Sequence, residues 1–454
     1  MKSFASKMLT VCAVGLLLLV AGMLLRSVVN DRLQNLAQAR ASITNSLAAE
    51  QTIAGVTLVI PYVERYQETI TDERTKLTRV ESRRVEHQFE VLPAHADLTG
   101  MLTTDPHRRG LFRVNGYILN GRLSGDFAMP AAELLPRNKA DSALELRPAR
   151  MVLGISDPRG IRRLEMKLND VVRNVEPGTG AGSATPGAHA VVGGVLASLG
   201  STARFDVDLE LVGTDSLNIV PLGRESTAAL NSTWKHPSFG GRFLPTESHV
   251  GNGGFDAKWR VSSLATNART SWKAAPDGRP QSAESFSVSL IEPVDIYVMS
   301  DRAGKYASLF VGITLGGFLL FELLRSLRLH PLHYLLIGAA LLIFFLLLLA
   351  LSEQLGFGRA YAIASSACVL LIGIYSINLL RSKWLALGFT IGLGALYGAL
   401  YVILLSEQNA LLMGSLLIFA LLAAVMLGTR KVDWHALLAE RPVTPRVIEE
   451  HQYE

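Results

Sequence analysis

Cysteine is nearly missing from this chain. Its 454 residues include two, Cys12 and Cys368, and both lie in long apolar runs. A disulfide framework, a CxxC redox site and a cysteine zinc site are therefore excluded from the polar part of the sequence. Charge is also scarce, at 18% of residues against 49% hydrophobic, the balance of a membrane protein with one substantial soluble domain. Signatures of familiar chemistry are missing too. No HExxH or paired metal spacing joins His87, His95, His107, His236 and His249, so these read as surface or hydrogen-bonded histidines rather than zinc ligands. No GxSxG elbow marks a nucleophile. Gly178, Gly180 and Gly182 sit in the Gly-, Ser- and Pro-rich stretch Glu176 to His189. Without a strand before them and a helix after them, backbone amides are not aimed at a phosphate. The stretch reads instead as a loop or inter-lobe linker.

What the chain has in quantity is apolar sequence. Tyr306 to Gly428 contains eight formally charged residues, Glu322, Arg325, Arg328, Glu353, Arg359, Arg381, Lys383 and Glu407, all between apolar runs or at their edges. Each run approaches the roughly 20 residues that cross about 30 Å of hydrocarbon. The spacing predicts five spans, at about 306–324, 332–351, 360–380, 384–405 and 409–428. They lack the polar/apolar alternation of barrel strands, so helices are expected. Lys2 and Lys7 precede a further run, Met8 to Leu25. The small-residue pattern Ala37-Gln38-Ala39 lies behind Arg26, Asp31 and Arg32, too far on for easy cleavage, so an uncleaved signal anchor is expected. That makes six spans.

Basic residues set the orientation. With a cytoplasmic N-terminus, Arg325, Arg328, Arg381, Lys383, Arg430 and Lys431 all fall on the cytoplasmic side. This use of basic residues accounts for the net charge of +5 without a nucleic-acid partner. The expected domains are 1–29, cytoplasmic N-terminus and first span; 30–304, periplasmic; 305–428, five spans; and 429–454, a cytoplasmic tail. The periplasmic segment opens with a juxtamembrane helix over about 30–50, whose stripe Leu33, Leu36, Arg40, Ile43 and Leu47 suits packing on the following domain or a dimer seam. The period then changes to two. Val85, His87, Phe89 and Val91 alternate with polar residues, and Tyr117, Leu119, Leu123 and Phe127 share a face. Phe205 to Leu211, Phe255 to Val261 and Phe286 to Leu290 repeat the pattern. Strands with one wet face predict a mostly antiparallel, sandwich-like β domain. The fold class is thus an α+β membrane protein, with the β domain inserted between helices 1 and 2.

Several stretches resemble the CreD family of inner-membrane proteins. They are GVTLVIPY from Gly55, SDPRGI from Ser156, WKHPSFGGRFLP from Trp234, DRAGKY from Asp301, RLHPLHYLL from Arg328, LLLALSEQLGF from Leu347 and TRKVDWH from Thr429. The sequence departs from the family pattern at Val56 and His435. The resemblance implies a Gram-negative inner membrane and a link to envelope integrity, envelope stress and colicin tolerance. It implies no reaction, and neither cofactor nor metal is expected.

Two sets of residues are candidates for function. Trp234, His236, Pro237, Phe239, Phe243 and Pro245 concentrate aromatics and prolines, which suits a rigid sandwich corner or an aromatic patch for an envelope partner. Glu322, Glu353 and Glu407 are carboxylates at or near span ends. Glu322 is three residues from Arg325, so an ion pair competes with a functional role. Leu351-Ser352-Glu353-Gln354 and Leu405-Ser406-Glu407-Gln408 echo one another; they read either as helix caps or as paired carboxylates for a cation or partner. The leading function is non-catalytic: the bilayer holds the bundle and the β domain binds an envelope component or partner. The alternative is a transporter of a small molecule or lipid through the bundle, and a periplasmic enzyme has the least support. No oligomeric state follows from the sequence.

Overall fold

The structure, a computed structural model, describes residues 2–71, 78–109, 112–180, 186–193, 199–274, 284–290, 296–324, 329–380, 382–406 and 409–430. It divides into two compact units, one of residues 1–35 and 294–454 and one of residues 36–293.

The unit of residues 36–293 is built from strands. In chain order they are β1 (Gln51–Thr71), β2 (Thr78–Val91), β3 (His95–Arg109), β4 (Phe112–Ala128), β5 (Ala143–Leu146), β6 (Ala149–Ile155), β7 (Ile161–Leu168), β8 (Val171–Arg173), β9 (Val175–Pro177), β10 (Gly187–Val192), β11 (Thr202–Thr214), β12 (Ser216–Ile219), β13 (Glu225–Ser232), β14 (Pro237–Gly241), β15 (Glu247–Gly251), β16 (Gly254–Ser262) and β17 (Phe286–Leu290). One sheet has nine strands, in the order β14-β17-β12-β1-β6-β10-β9 with β2 and β5 also paired to β1. The other has eight, in the order β15-β16-β13-β3-β4-β11-β7-β8. Pairing is antiparallel except for β1 with β12 and β3 with β13.

Alternation decides which side chains face inward. Tyr117, Leu119, Leu123 and Phe127 of β4 are buried, as are Phe205, Val207, Leu209 and Leu211 of β11 and Phe255, Ala257, Trp259 and Val261 of β16. Residues of both sheets merge into one apolar core, which makes the unit a sandwich. Gly55 takes φ +67 where the register of β1 against β6 slips between Ile53 and Val56, a conformation open to glycine at little cost. The SDPRGI stretch serves the entry to β1. Asp157 accepts from the Ala49 amide at 3.0 Å and from Arg159 Nε at 2.9 Å. The Gln51 amide donates to the carbonyls of Asp157 and Val212, each at 3.0 Å. Glu176 to His189 does not separate two lobes: β9 and β10, at its ends, pair antiparallel in one sheet. Positive φ at Gly178 and Gly180 turns the chain there, and 181–185 lie outside the described residues.

The other unit is helical. Its helices are α1 (Lys2–Ser46) as far as residue 35, α3 (Ile296–Leu324), α4 (Pro331–Leu355), α5 (Phe357–Leu379), α6 (Lys383–Leu405) and α7 (Ala410–Thr429), while the rest of α1 and the short α2 (Ala268–Ala274) belong to the β unit. The expected juxtamembrane helix is no separate element, because no glycine or proline interrupts the sequence between Arg26 and Ser46, and α1 runs through. Helix α3 starts ten residues before the expected 306; Asp301 and Lys305 pair at 2.7 Å on its first turns, an i,i+4 contact that extends the helix. Among the described residues, five helices are long and apolar enough to cross a membrane, and α7 adds the shorter apolar stretch Leu412–Leu427. The helices share an apolar core that includes Leu18, Leu25, Phe310, Phe344, Tyr361 and Leu400. Gly338 admits Leu18 so closely that a Cβ there would stand 2.1 Å from its Cδ1.

Candidate functional site

The aromatic segment is a corner. Trp234 to Pro245 leaves β13 of the eight-stranded sheet, forms β14 at the edge of the nine-stranded sheet, and returns to β15 at the edge of the first. Phe239 meets Phe255 and Trp259 edge to face, both at 5.7 Å, and Trp259 stacks on Phe286 at 5.2 Å. Trp234, Phe239 and Phe243 all pack on the core. The Trp234 indole donates to the His236 carbonyl at 2.9 Å. Pro237 and Pro245 are half-buried, and His236 is exposed. Gly241 turns the corner at φ +82, where a Cβ would lie 2.3 Å from the Ser285 carbonyl. The rings thus fill the sandwich edge, and Lys235, His236, Arg242 and Leu244 are what the segment offers to solvent.

A different feature dominates the outer face of the eight-stranded sheet. A trough of about 560 Å³ crosses β16, β13, β3, β4, β11 and β7. Register brings its walls together from distant parts of the chain. Lys258, Ala229, Thr99, Arg122 and Asp208 stand in one cross-strand row. Asp256, Asn231, Met101, Asn120, Glu210 and Arg163 form the next outward-facing row. Between these rows Gly100 pairs with Gly121. At Gly100 a Cβ would come within 2.8 Å of the Leu119 side chain, so glycine lets the sheet close over its core at the floor of the trough. The charges are partly balanced in place: Arg122 Nε donates to Asp206 at 3.0 Å and Lys258 to Glu247 at 3.0 Å. Exposed amides of Asn120 and Asn231 stand among them. Both signs of charge, two amides and small side chains suit an extended polar ligand held by hydrogen bonds. The sequence carries one trace of this, two glycines inside strand patterns, which signal a bulge or close approach.

Elsewhere in the β unit Glu64 is wholly buried. It accepts from the amides of Asn138 at 2.7 Å and Lys139 at 3.0 Å, and His87 Nε2 lies 2.8 Å away. Burial alone would raise this carboxyl, but those amides, the Ser142 hydroxyl and His87 outweigh it and bring it down to about 2. The group fastens the 138–142 loop to β1 and β2.

In the helical unit Glu322 is 6% exposed. It accepts from the Tyr334 hydroxyl at 2.7 Å and the Leu329 amide at 3.2 Å, bracing the α3–α4 connection. Nearby on α4, His333 Nδ1 lies 2.6 Å from the Tyr375 hydroxyl of α5. Arg325, the expected partner of Glu322, lies outside the described residues. Glu353 faces Arg32 of α1 at 3.7 Å with its side chain 8% exposed. Ser352 does not cap the next helix. It sits inside α4 and donates to the Leu349 carbonyl at 2.8 Å, and the helix ends at Gly356 with φ +80, because glycine accepts that turn where serine does not. Glu407 lies outside the described residues. Among those residues no group of three His, Cys, Asp or Glu side chains could hold a metal ion.

A family model described as inner membrane protein CreD matches residues 3–435. The inner membrane protein CreD of Escherichia coli (strain K12) is 33% identical over 436 residues, covering 95% of this chain and 93% of that protein.

Proposed function

Because the chain belongs to the CreD family of inner membrane proteins, we propose that its β unit is a binding module. It lies outside the cytoplasm and holds an extended polar component of the cell envelope along the trough of the eight-stranded sheet. The helices anchor it in six crossings, with both termini cytoplasmic. The observation that carries this reading is the trough itself: about 560 Å³ lined by Arg122, Arg163, Lys258, Asp208 and Asp256 together with the amides of Asn120 and Asn231. Basic residues support the orientation, since Arg325, Arg328, Arg381, Lys383, Arg430 and Lys431 then share the cytoplasmic side. The role is non-catalytic binding in envelope integrity. Transport draws less support, because Glu322 is already engaged by Tyr334 and Leu329.

The test is in-cell capture by the full-length protein. A photoreactive residue replaces Asn120 or Asn231, with the 97% exposed Leu264 as control. The expected result is one covalent product, an envelope glycan or peptide, from both trough positions and none from Leu264. Identical products from all three positions, or none from the trough, would overturn the reading.

A further inference from the structure

The trough on the eight-stranded sheet runs across the strands rather than along them. Its lining takes at most three successive residues from any strand, from residues 256–258 on β16 to Arg163 on β7. The two outward-facing rows that bound it are two residues apart on each strand, so they stand about 7 Å from one another. From β16 through β13, β3, β4 and β11 to β7 the strands cover about 24 Å at roughly 4.8 Å per step. One extended peptide of about seven residues, at roughly 3.3–3.6 Å each, has that length and width.

Charge separates a peptide from a glycan of the same shape. Arg122 and Lys258 are already paired, with Asp206 and Glu247, and Asp208 lies 3.9 Å from Lys167. Asp256 and Arg163 are exposed and form no ion pair among the described residues, although Asp256 stands opposite Asn231 and His249 in the register and Arg163 opposite Glu210. They sit at the two ends of one row, with the amides of Asn231 and Asn120 between them. A chain lying in the trough takes water from both, so each then needs a counter-charge. A neutral glycan supplies neither. An anionic glycan sets like charge against Asp208 and Asp256. Among the described residues no aromatic ring lines the trough, so the apolar face of a sugar finds no flat partner. A peptide carries charge of both signs, and its N–H and C=O groups match the donors and acceptors of the two asparagine amides.

We propose that the trough takes an extended peptide laid across the strands, with a cationic group on Asp256 and a carboxylate on Arg163. The inference rests on the reading of the trough as a binding site and names the class of its ligand.

The test uses the full chain in nanodiscs and a library of seven-residue peptides with blocked termini. Lys, Glu or Ser stands at each end and Gly, Ala, Ser or Asn between, and enrichment on the protein is read by mass spectrometry. Peptides with Lys at one end and Glu at the other are expected about tenfold above peptides of the same composition with the two charges adjacent, the size of one charge-assisted contact. Asp256→Asn removes the preference for Lys and keeps that for Glu, and Arg163→Gln does the reverse. Ala229→Trp, which fills the middle of the trough from its outward position, lowers all binding. Thermal unfolding of each variant in the same nanodiscs separates a lost site from a lost fold. Equal enrichment of the adjacent arrangement, no enrichment at all, or both preferences intact in the folded variants would overturn the proposal. Binding of neutral N-acetylglucosamine oligomers in place of peptides, lost in Ala229→Trp, would overturn the peptide and leave the trough a binding site. Failure of in-cell capture from Asn120 and Asn231 would overturn both.

Discussion

Glu64 shows what a single carboxylate does once it is buried. It sits in β1, accepts from two backbone amides and contacts His87. Replacing it with glutamine removes the charge and turns a donor toward those amides. Unfolding of the β unit of full-length Glu64→Gln, followed by tryptophan fluorescence in urea, is expected at a cost of about 2–3 kcal/mol, the range for losing charge-assisted bonds in a buried site. The sign with pH follows from the lowered carboxyl. The folded value, about 2, lies below the ordinary value of about 4.3. Its contribution is therefore whole above about 4.3 and drains away as pH falls toward about 2. Wild-type protein loses this increment on acidification through that window, and Glu64→Gln does not. His87 appears in the sequence as one member of an alternating row; its partner 23 residues upstream could be named only after β1 and β2 had paired.

Among elements, α1 and α4 give the sharpest case. Leu18 lies against Gly338 with no room for another carbon. Gly338→Ala in the full chain is expected to lower stability by about 1–3 kcal/mol, the usual cost of overpacking, seen as a lower melting temperature in detergent. In a Leu18→Ala background Gly338→Ala is expected to cost little, because the nearest atoms its Cβ would meet are those of Leu18, and the two effects are then non-additive. The β elements were largely legible. The rows through Tyr117, Phe205 and Phe255 are buried as their period of two requires. The corner at Trp234 to Pro245 was legible as a corner, since prolines and glycines restrict the backbone locally. What was not legible is that Phe239 turns its ring toward Trp259, a contact with a residue 20 positions away. Two helices also run past the spans the spacing gives, α3 from Ile296 and α4 beyond Ser352. Helix ends depend on caps and pairs such as Asp301 with Lys305, whose effects are small beside those of a long apolar run.

At the scale of the whole molecule, the proposed arrangement predicts which surfaces meet the periplasm. In a Cys12→Ser, Cys368→Ser background, cysteine in place of the exposed Leu264 is expected to react with a membrane-impermeant maleimide in cells whose outer membrane alone is permeabilised. Cysteine in place of Arg430 should react only after the inner membrane is opened. The reverse pattern would invert the topology.

The sequence by itself determined that this chain belongs in a membrane and carries a β domain. An apolar run, a helical stripe and a two-residue alternation are local periodicities, and burial acts on each without reference to the rest of the fold. Tertiary structure decided everything that depends on register. Asn120 meets Met101 and Asn231 meets Asp256 across the trough, and Glu322 finds Tyr334. Such neighbours are set by pairing and packing between segments far apart in the chain, and a one-residue slip of any of these strands would turn that strand's trough side chains into the core.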